Sequence, residues 1–545
     1  MIPSGTVNLA DEAFVDCYGV TRIGLPASVA RLGANVFEGC ESLTAIEVDA
    51  ANAAYAGQEG VLFSRTLGTL VRYPPGKTEV SFTVPSGVTG IDDGAFEGCS
   101  SLAEITIPAK VNKIGKDVFE GCDALESILV DGNNGAYASQ DGVLLTADRQ
   151  SVIRCPPAKA GDYAVPSGIT CIRGSAFSNC RRLTRITLPA SFERLGGDRS
   201  DYWPLFSDGS VFAGCSGLTA IDVDPANGRF YSDNGVLIGP SYYWDGTCST
   251  LLYCPGGKTG AYTIPAGVGN IELDAFTDCT RLTAINVAAS DGLYSSDDGV
   301  LYDQFKTTLL QCPGGKTGHY TIPASVRLVD VAAFLNCSSL TSVAIPASVT
   351  RIEPMAFFGC SSLSLITLDP TNTVYSSQDA TLFDKTGHRL IQYACGETDS
   401  SYTAPAGVSS LGDYSFWGRS SLASVYFKGD QPSGVGDGAF YGAGQATVYY
   451  LPGTSGWNQP LSGLRLAAWS PRVQAGASFG SNSSGLFGFT VLGTNGMCVA
   501  VEASTNLTAA WEPAGRVTLA PSGTAVFTDT ASGSHRSRFY RLRMP

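Results

Sequence analysis

Sixteen cysteines are the most chemically capable side chains in this sequence of 545 residues. Nine of them (Cys17, Cys40, Cys99, Cys122, Cys180, Cys215, Cys279, Cys337 and Cys360) each follow a phenylalanine by three residues. A cysteine-rich chain invites a disulfide framework, and a C-x-x-C pair invites a metal. No C-x-x-C pair occurs, which speaks against metal ligation. If the nine positions stack on one another, neighbouring Cα atoms lie ~5 Å apart, within disulfide range. Parallel side chains, however, keep the Cβ atoms about as far apart, wider than the usual ~3.8 Å. The expectation is a buried ladder of free thiols acting as small hydrophobes, with Cys99, Cys122, Cys180, Cys215, Cys279, Cys337 and Cys360 as its structural members. Scattered disulfides are the alternative. Cys155, Cys254, Cys312 and Cys395 recur in a second context and are read as extensions of the ladder.

Acid–base and nucleophilic chemistry has little to work with. The three histidines are His319, His388 and His535. A triad needs one of them beside a nucleophile, and no G-x-S-x-G elbow with strand–helix context accompanies them. Phosphate-cradling loops, zinc helices and dinucleotide fingerprints are absent from the sequence. Asp297-Asp298-Gly299 and Asp233-Asn234-Gly235 suggest calcium, but the alternating ligands and distal glutamate of a calcium loop are missing, so they read as tight turns. No catalytic residue, metal or cofactor is expected.

Aromatic clusters offer binding chemistry instead. Two insertions, Gly197–Gly209 and Gly239–Gly246, combine aromatics with acids and glycine. Their residues Asp201, Tyr202, Trp203, Phe206, Tyr242, Tyr243, Trp244 and Asp245 form the candidate ligand site. Exposed Tyr and Trp are frequent hot spots and could stack on sugar rings or proline-rich peptides. The competing reading is that the two tips pack on each other or on the flank of the protein.

The elements that must carry these residues come from a repeat. Copies of Ala-Phe-x-Gly-Cys place phenylalanine at 14, 37, 96, 119, 177, 212, 276, 334, 357, 416 and 440. The shortest spacing is 23 residues. In one copy, Leu340, Val343 and Ile345 predict a short strand that Pro346 ends, because proline has no N–H for a ladder. Val349 and Ile352 predict a second short extended piece, and Gly and Ser after Phe357 turn the chain into the next coil. One coil cannot bury its apolar face alone, whereas stacked coils can. Intervals of 58 or 59 residues contain an extra element with Asp-Gly or similar before an apolar run, read as a β-hairpin island replacing one side of a coil. Eleven coils and five islands predict an elongated solenoid roughly 75–80 Å long.

The run Leu340-Thr-Ser-Val-Ala-Ile345-Pro346-Ala-Ser-Val349, continued by Ala356-Phe357-Phe-Gly-Cys360, resembles the BspA-like leucine-rich repeat of bacterial cell-surface proteins. The islands resemble the Asp-Gly-Val-Leu elements of that family. The resemblance spans about residues 5–450. It implies a secreted or surface protein that adheres to proteins or cells, with ligands that differ among members.

After Phe440 the pattern fades. Residues 1–456 are assigned to the solenoid, 457–470 to a capping linker in which Trp457 and Trp469 cover the open end, and 471–545 to a small β-sandwich. Val501–Leu507, Trp511, Phe527–Asp529 and Arg538–Arg541 resemble a fibronectin-type-III-like module, with a spacing or attachment role. The fold class is therefore a β-rich leucine-rich-repeat solenoid with islands, followed by an all-β sandwich.

A net charge of −14 with only 15 % charged residues argues against nucleic acid or an anionic membrane as partner. No apolar run of ~20 residues is present to span a bilayer as a helix. Ile2-Pro3-Ser4-Gly5 matches the middle of a repeat, so a signal peptide and cap are expected upstream of this sequence. The reading is a non-catalytic extracellular or cell-surface adhesion protein, monomeric, that binds an extracellular protein or glycan. A passive spacer or surface-layer component, and the glycan-targeting part of a larger exported enzyme, are the alternatives.

Overall fold

Each 23-residue coil contributes two strands to two different sheets, and both strands pair in parallel with their counterparts one coil away. Ile105 and Ile107 lie fully buried in the strand Glu104–Ile107, and the strand stacks on Ser127–Val130 with Ile105 opposite Ile128. Leu340–Ile345 forms the strand expected of it and pairs with Leu365–Leu368, Val343 opposite Ile366. The second strand is only two residues long, as at Lys113–Ile114 and Arg351–Ile352. Proline after the first strand and the tight corner after the second keep both short.

The computed structural model describes residues 2–196, 211–240, 248–289, 292–394, 400–469, 471–474, 480–481, 486–493, 497–508, 510–520, 522–535 and 537–543. It comprises two units, Met1–Leu293 and Tyr294–Pro545. Both are built from strands, and among the described residues the single helical element is the 3₁₀ turn Ser532–Ser534.

The islands are three-stranded rather than two-stranded. Tyr294–Asp297 and Val300–Asp303 form an antiparallel hairpin, and Thr308–Gln311 pairs antiparallel with the second of these. That third strand then joins the short-strand ladder, parallel to Leu328–Val329. It thereby takes the place of a coil's second strand, while the hairpin caps the sheet edge. The same five-strand order recurs from Tyr375 to Val435.

An asparagine ties each of four islands to the coil before it. Asn134 Nδ2 donates to the carbonyls of Pro108 and Val111, and its Oδ1 accepts from Ala136 N and Tyr137 N. Asn52, Asn227 and Asn372 repeat the arrangement. Three residues on, the hydroxyls of Tyr55, Tyr137 and Tyr375 accept from the amides of Leu32, Ile114 and Ile352. The short strand is thereby satisfied where no further coil pairs with it.

In the second unit the last coils continue into the C-terminal segment. Arg465–Ala468, within the expected linker, is a further parallel rung on Thr447–Tyr450. Trp457 stacks on Tyr450 at 5.3 Å, and Trp469, 1 % exposed, packs on Tyr426. Beyond it lie two antiparallel sheets. One joins Arg472–Gln474, Gly480–Ser481, Phe487–Leu492 and Thr524–Thr528, and the other Glu512–Thr518, Cys498–Ser504 and Phe539–Arg543. Their shared core of Phe489, Val491, Val499, Val501 and Phe527 is continuous with Tyr426, Tyr449 and Trp469 of the solenoid.

Candidate functional site

The Ala-Phe-x-Gly-Cys corner alternates its side chains between core and surface, and the chemistry divides accordingly. The phenylalanines point inward and stack, with ring centroids 5.9 Å apart for Phe96–Phe119, 5.2 Å for Phe334–Phe357 and 4.7 Å for Phe416–Phe440. Corner backbones pair between coils: Phe96 N donates to Val118 O and Gly98 N to Glu120 O.

The cysteine three residues on points inward and closes the corner. Its thiol donates to the carbonyl of the preceding phenylalanine: Cys122 to Phe96 at 3.0 Å, Cys215 to Phe177 at 3.0 Å, Cys360 to Phe334 at 3.1 Å. Where an island intervenes, the acceptor belongs to the island, as for Cys99 on Tyr73, Cys180 on Cys155, Cys279 on Cys254 and Cys337 on Cys312. All seven are buried, and every cysteine among the described residues is a free thiol. Burial pushes Cys99, Cys155 and Cys215 well above the ordinary thiol value. For Cys279 and Cys337 the hydrogen bond with the neighbouring cysteine is the first cause of the upward push, and burial adds to it. Protonated, enclosed thiols are poor nucleophiles and poor metal ligands. Cys395 lies outside the described residues. The island position that Cys155, Cys254 and Cys312 occupy is filled by Tyr393 in the fifth island, because Tyr393 N reaches Ser415 O as Cys312 N reaches Ala333 O.

Islands supply no corner turn, and long polar side chains fill the resulting gap. Arg72 sends Nη2 to the carbonyls of Phe37 and Glu97, and Nη1 to Gly94 O and the Glu97 carboxylate. Arg154 donates to Ser175 O, Tyr253 to Phe212 O, and Gln392 to Ser415 O. Arg419 spans to Ser361 O and Tyr393 O.

The residue after the phenylalanine faces outward in several coils, although Ser178 and Leu335 at this place are buried. In the first unit Glu38, Glu97 and Glu120 take this place in three of seven coils, the others carrying Val15, Ser178, Ala213 and Thr277, and with Asp16, Glu41 and Asp123 these glutamates line a shallow cleft of about 310 Å³. Burial pushes the Glu38 carboxyl up, and Glu97, Glu12 and Asp16 act in the same direction against Arg72. In the second unit the same position carries Leu335, Phe358, Trp417 and Tyr441. Phe358 and Trp417 lie 4.0 Å apart although 59 residues separate them, and Tyr414 meets Phe358 edge-on at 5.3 Å. Tyr441 is 69 % exposed. An acidic cleft suits cations or basic segments. A half-buried aromatic stripe suits apolar side chains or sugar faces.

The expected ligand residues Asp201, Tyr202, Trp203, Phe206, Tyr242, Tyr243, Trp244 and Asp245 lie outside the described residues. His319 hydrogen-bonds Ser342 Oγ at 2.8 Å and Thr321 Oγ1 at 2.9 Å on an exposed strand surface, so its second nitrogen meets a hydroxyl rather than the carboxylate of a triad. No group of three or more His, Cys, Asp or Glu side chains that could hold a metal occurs among the described residues. Nor is any helix there long and apolar enough to cross a membrane. The sequence reading overlooked the outward corner position and the asparagines. The D-x-x-N-x-x-[Y/F] spacing of 49–55, 131–137, 224–230 and 369–375 carried the second signal.

Stacked coils with a parallel strand, a proline stop and a Phe-Cys corner define a leucine-rich-repeat solenoid. The sequence matches the BspA type leucine rich repeat region in six copies, over residues 1–60, 77–139, 159–199 and 258–376, more than half its length, and the chain belongs to that family. Its fold is similar to a leucine-rich repeat protein from Eubacterium ventriosum, with 20 % identity, a TM-score of 0.33, and 68 % of this chain covering 79 % of that one. It is also similar to a leucine rich cell surface protein from Faecalibacterium prausnitzii, with 19 % identity, a TM-score of 0.32, and 74 % of this chain covering 95 % of that one. The pneumococcal vaccine antigen PcpA aligns at 15 % identity and a TM-score of 0.22, 85 % of this chain covering 80 % of that one. No curated protein matches the chain.

Proposed function

We propose that this chain is a non-catalytic binding protein of the bacterial exterior that adheres to an extracellular protein or glycan. The observation that carries the reading is the aromatic stripe Phe358–Trp417–Tyr441, kept at the surface on the outward position of a corner whose inward neighbours are fully committed to the core. A solenoid has no need of aromatics there, since the position accepts glutamate elsewhere in the same chain. The C-terminal sheets are read as a fibronectin-type-III-like module that spaces or attaches the solenoid.

The insertion tips around Tyr202, Trp203, Tyr242, Tyr243 and Trp244 form a second proposed contact, carried by their sequence. An array of glycans and extracellular proteins tests both. A hit retained by Trp203→Ala/Trp244→Ala but lost in Trp417→Ala/Tyr441→Ala assigns the corner stripe, and the reverse assigns the tips. The absence of any specific hit would favour the passive-spacer reading and sink this one.

A further inference from the structure

Charge is divided unevenly along this chain. Its net charge is −14, yet residues 471–545 carry six arginines, no lysine and only three acids. Three of those arginines meet on one face of the sheet formed by Glu512–Thr518, Cys498–Ser504 and Phe539–Arg543. Val499 and Val501 are fully buried in the core, so Ala500 between them points to the opposite face. Ala500 lies across from Arg516 on one neighbouring strand and from Arg543 on the other. Cross-strand partners share a face, so the two arginines flank Ala500 there. Arg541, two residues before Arg543, joins them, and Phe539, 40 % exposed, extends the same row of outward positions.

Glu502, the acid on this face, shows what these arginines hold. Arg541 Nε donates to its Oε2 at 2.7 Å and Arg543 Nη1 to its Oε1 at 2.8 Å. The Glu502 side chain is only 7 % exposed beneath them, whereas those of Arg541 and Arg543 are 50 % and 67 % exposed. Solvent therefore meets guanidinium rather than carboxylate. Arg516 is exposed and has no carboxylate partner among the described residues. Arg541 also lies 4.6 Å from the centre of the Trp511 ring. Each guanidinium holds five N–H donors in a rigid fork, and Glu502 takes only part of them. The face thus combines surplus positive charge, unused planar donors and the rings of Trp511 and Phe539.

We infer that this face binds an acidic polysaccharide, whose carboxylates meet the guanidinium groups of Arg516, Arg541 and Arg543 while its sugar rings lie against Trp511 and Phe539. Arginine unaccompanied by lysine suits carboxylate, because the two oxygens match the fork, as Glu502 already does from within the chain. The acids of the preceding coils select the form of the polymer. Charge acts over about 8 Å at physiological salt. A single flexible strand can follow the arginine face and keep clear of those acids. A membrane or a nucleic-acid duplex would bring broad negative charge against them as well. The inference gives a chemistry to the attachment role proposed for this module and rests on that reading only for its biological use. It is independent of the corner stripe.

Biolayer interferometry on the full chain, with immobilised polygalacturonate as probe, tests the inference. Saturable binding is expected, with the carboxyl-reduced polymer of the same backbone at least tenfold weaker. Arg516→Gln/Arg543→Gln is expected to weaken binding at least tenfold. Trp417→Ala/Tyr441→Ala is expected to leave it unchanged, so failure of the corner-stripe reading and failure of this one are read separately. Should the double arginine variant misfold by circular dichroism, Arg516→Gln alone is expected to weaken binding severalfold, since that side chain has no ion pair among the described residues to lose. Phosphatidylglycerol vesicles and a duplex oligonucleotide are titrated in parallel. Absence of saturable binding, equal binding of the reduced polymer, full binding by a folded arginine variant, or tighter binding of the vesicles or the duplex overturns the proposal.

Discussion

One backbone position carries acids in part of the first unit and aromatics in part of the second. After the inward phenylalanine come Glu38, Glu97 and Glu120 among the seven coils of the first, and Phe358, Trp417 and Tyr441 beside Leu335 in the second. The framework beneath does not differ: Phe96 N bonds Val118 O at 3.0 Å, and Phe334 N bonds Ala356 O at 2.8 Å. The gap left by an island is bridged by Arg72 in one unit and by Gln392 with Arg419 in the other. Stability therefore resides in the inward residues and the corner carbonyls, while the outward residue is free to vary.

The comparison breaks most forcefully at the core. Phe96→Ala and Phe416→Ala each empty a fully buried site, and both are expected to cost about 3–5 kcal/mol in denaturant unfolding. A cost confined to one unit would show that the two ladders are not equivalent. Next in size is binding. With a ligand in hand from the array, Tyr441→Ala should weaken it by at least ~2 kcal/mol in surface plasmon resonance. The same change should move stability by no more than ~0.5 kcal/mol. Glu41→Gln in the acidic cleft should leave that affinity alone, and equal losses from both variants would dissolve the contrast.

Asn372→Ala removes a side chain that is 1 % exposed and orphans the carbonyls of Pro346 and Val349, for about 1–3 kcal/mol. Asn52→Ala in the first unit should match it. The smallest effect is electrostatic. The Glu38 carboxyl is held above its ordinary value, so its ionisation opposes the fold once pH exceeds the unfolded value. Glu38→Gln should therefore raise stability at pH 7 by less than ~1 kcal/mol. That gain should fade as pH falls below the ordinary carboxylate range, where the native glutamate is protonated in both states. A gain that persists at pH 3 would point to packing instead.

Much of this framework was legible from residue order alone. The Leu-x-x-Val-x-Ile-Pro run gave its strand and stop, because alternation and proline act locally. The third island strand was harder to see, since Thr308–Gln311 reads like any apolar run until its parallel partner Leu328–Val329 is known. The junction with the C-terminal sheets was hidden for a related reason: Tyr426, Tyr449 and Trp469 look like ordinary coil and linker residues, and only folding shows them sharing a core with Phe489 and Phe527. The acid-to-aromatic switch at the corner was written openly in the sequence. It escaped notice because it sits at the corner position whose residue type varies most, and a search for periodicity discards variation.

Corner bonding by strict succession has a consequence for how such a chain can change over generations. Phe334 N reaches Ala356 O and Asn336 N reaches Phe358 O, each 22 residues ahead, so a coil interlocks with the copy that follows it and asks nothing of more distant ones. Unequal recombination that duplicates or deletes a whole 23-residue segment leaves every inward phenylalanine above another and every carbonyl with its amide. Other spacings are accommodated where the added residues leave the corner in place, as between the stacked Phe416 and Phe440, 24 residues apart. The gene can thus gain or lose recognition surface in whole coils at little risk to folding, and each new coil brings one fresh outward residue on which selection can act.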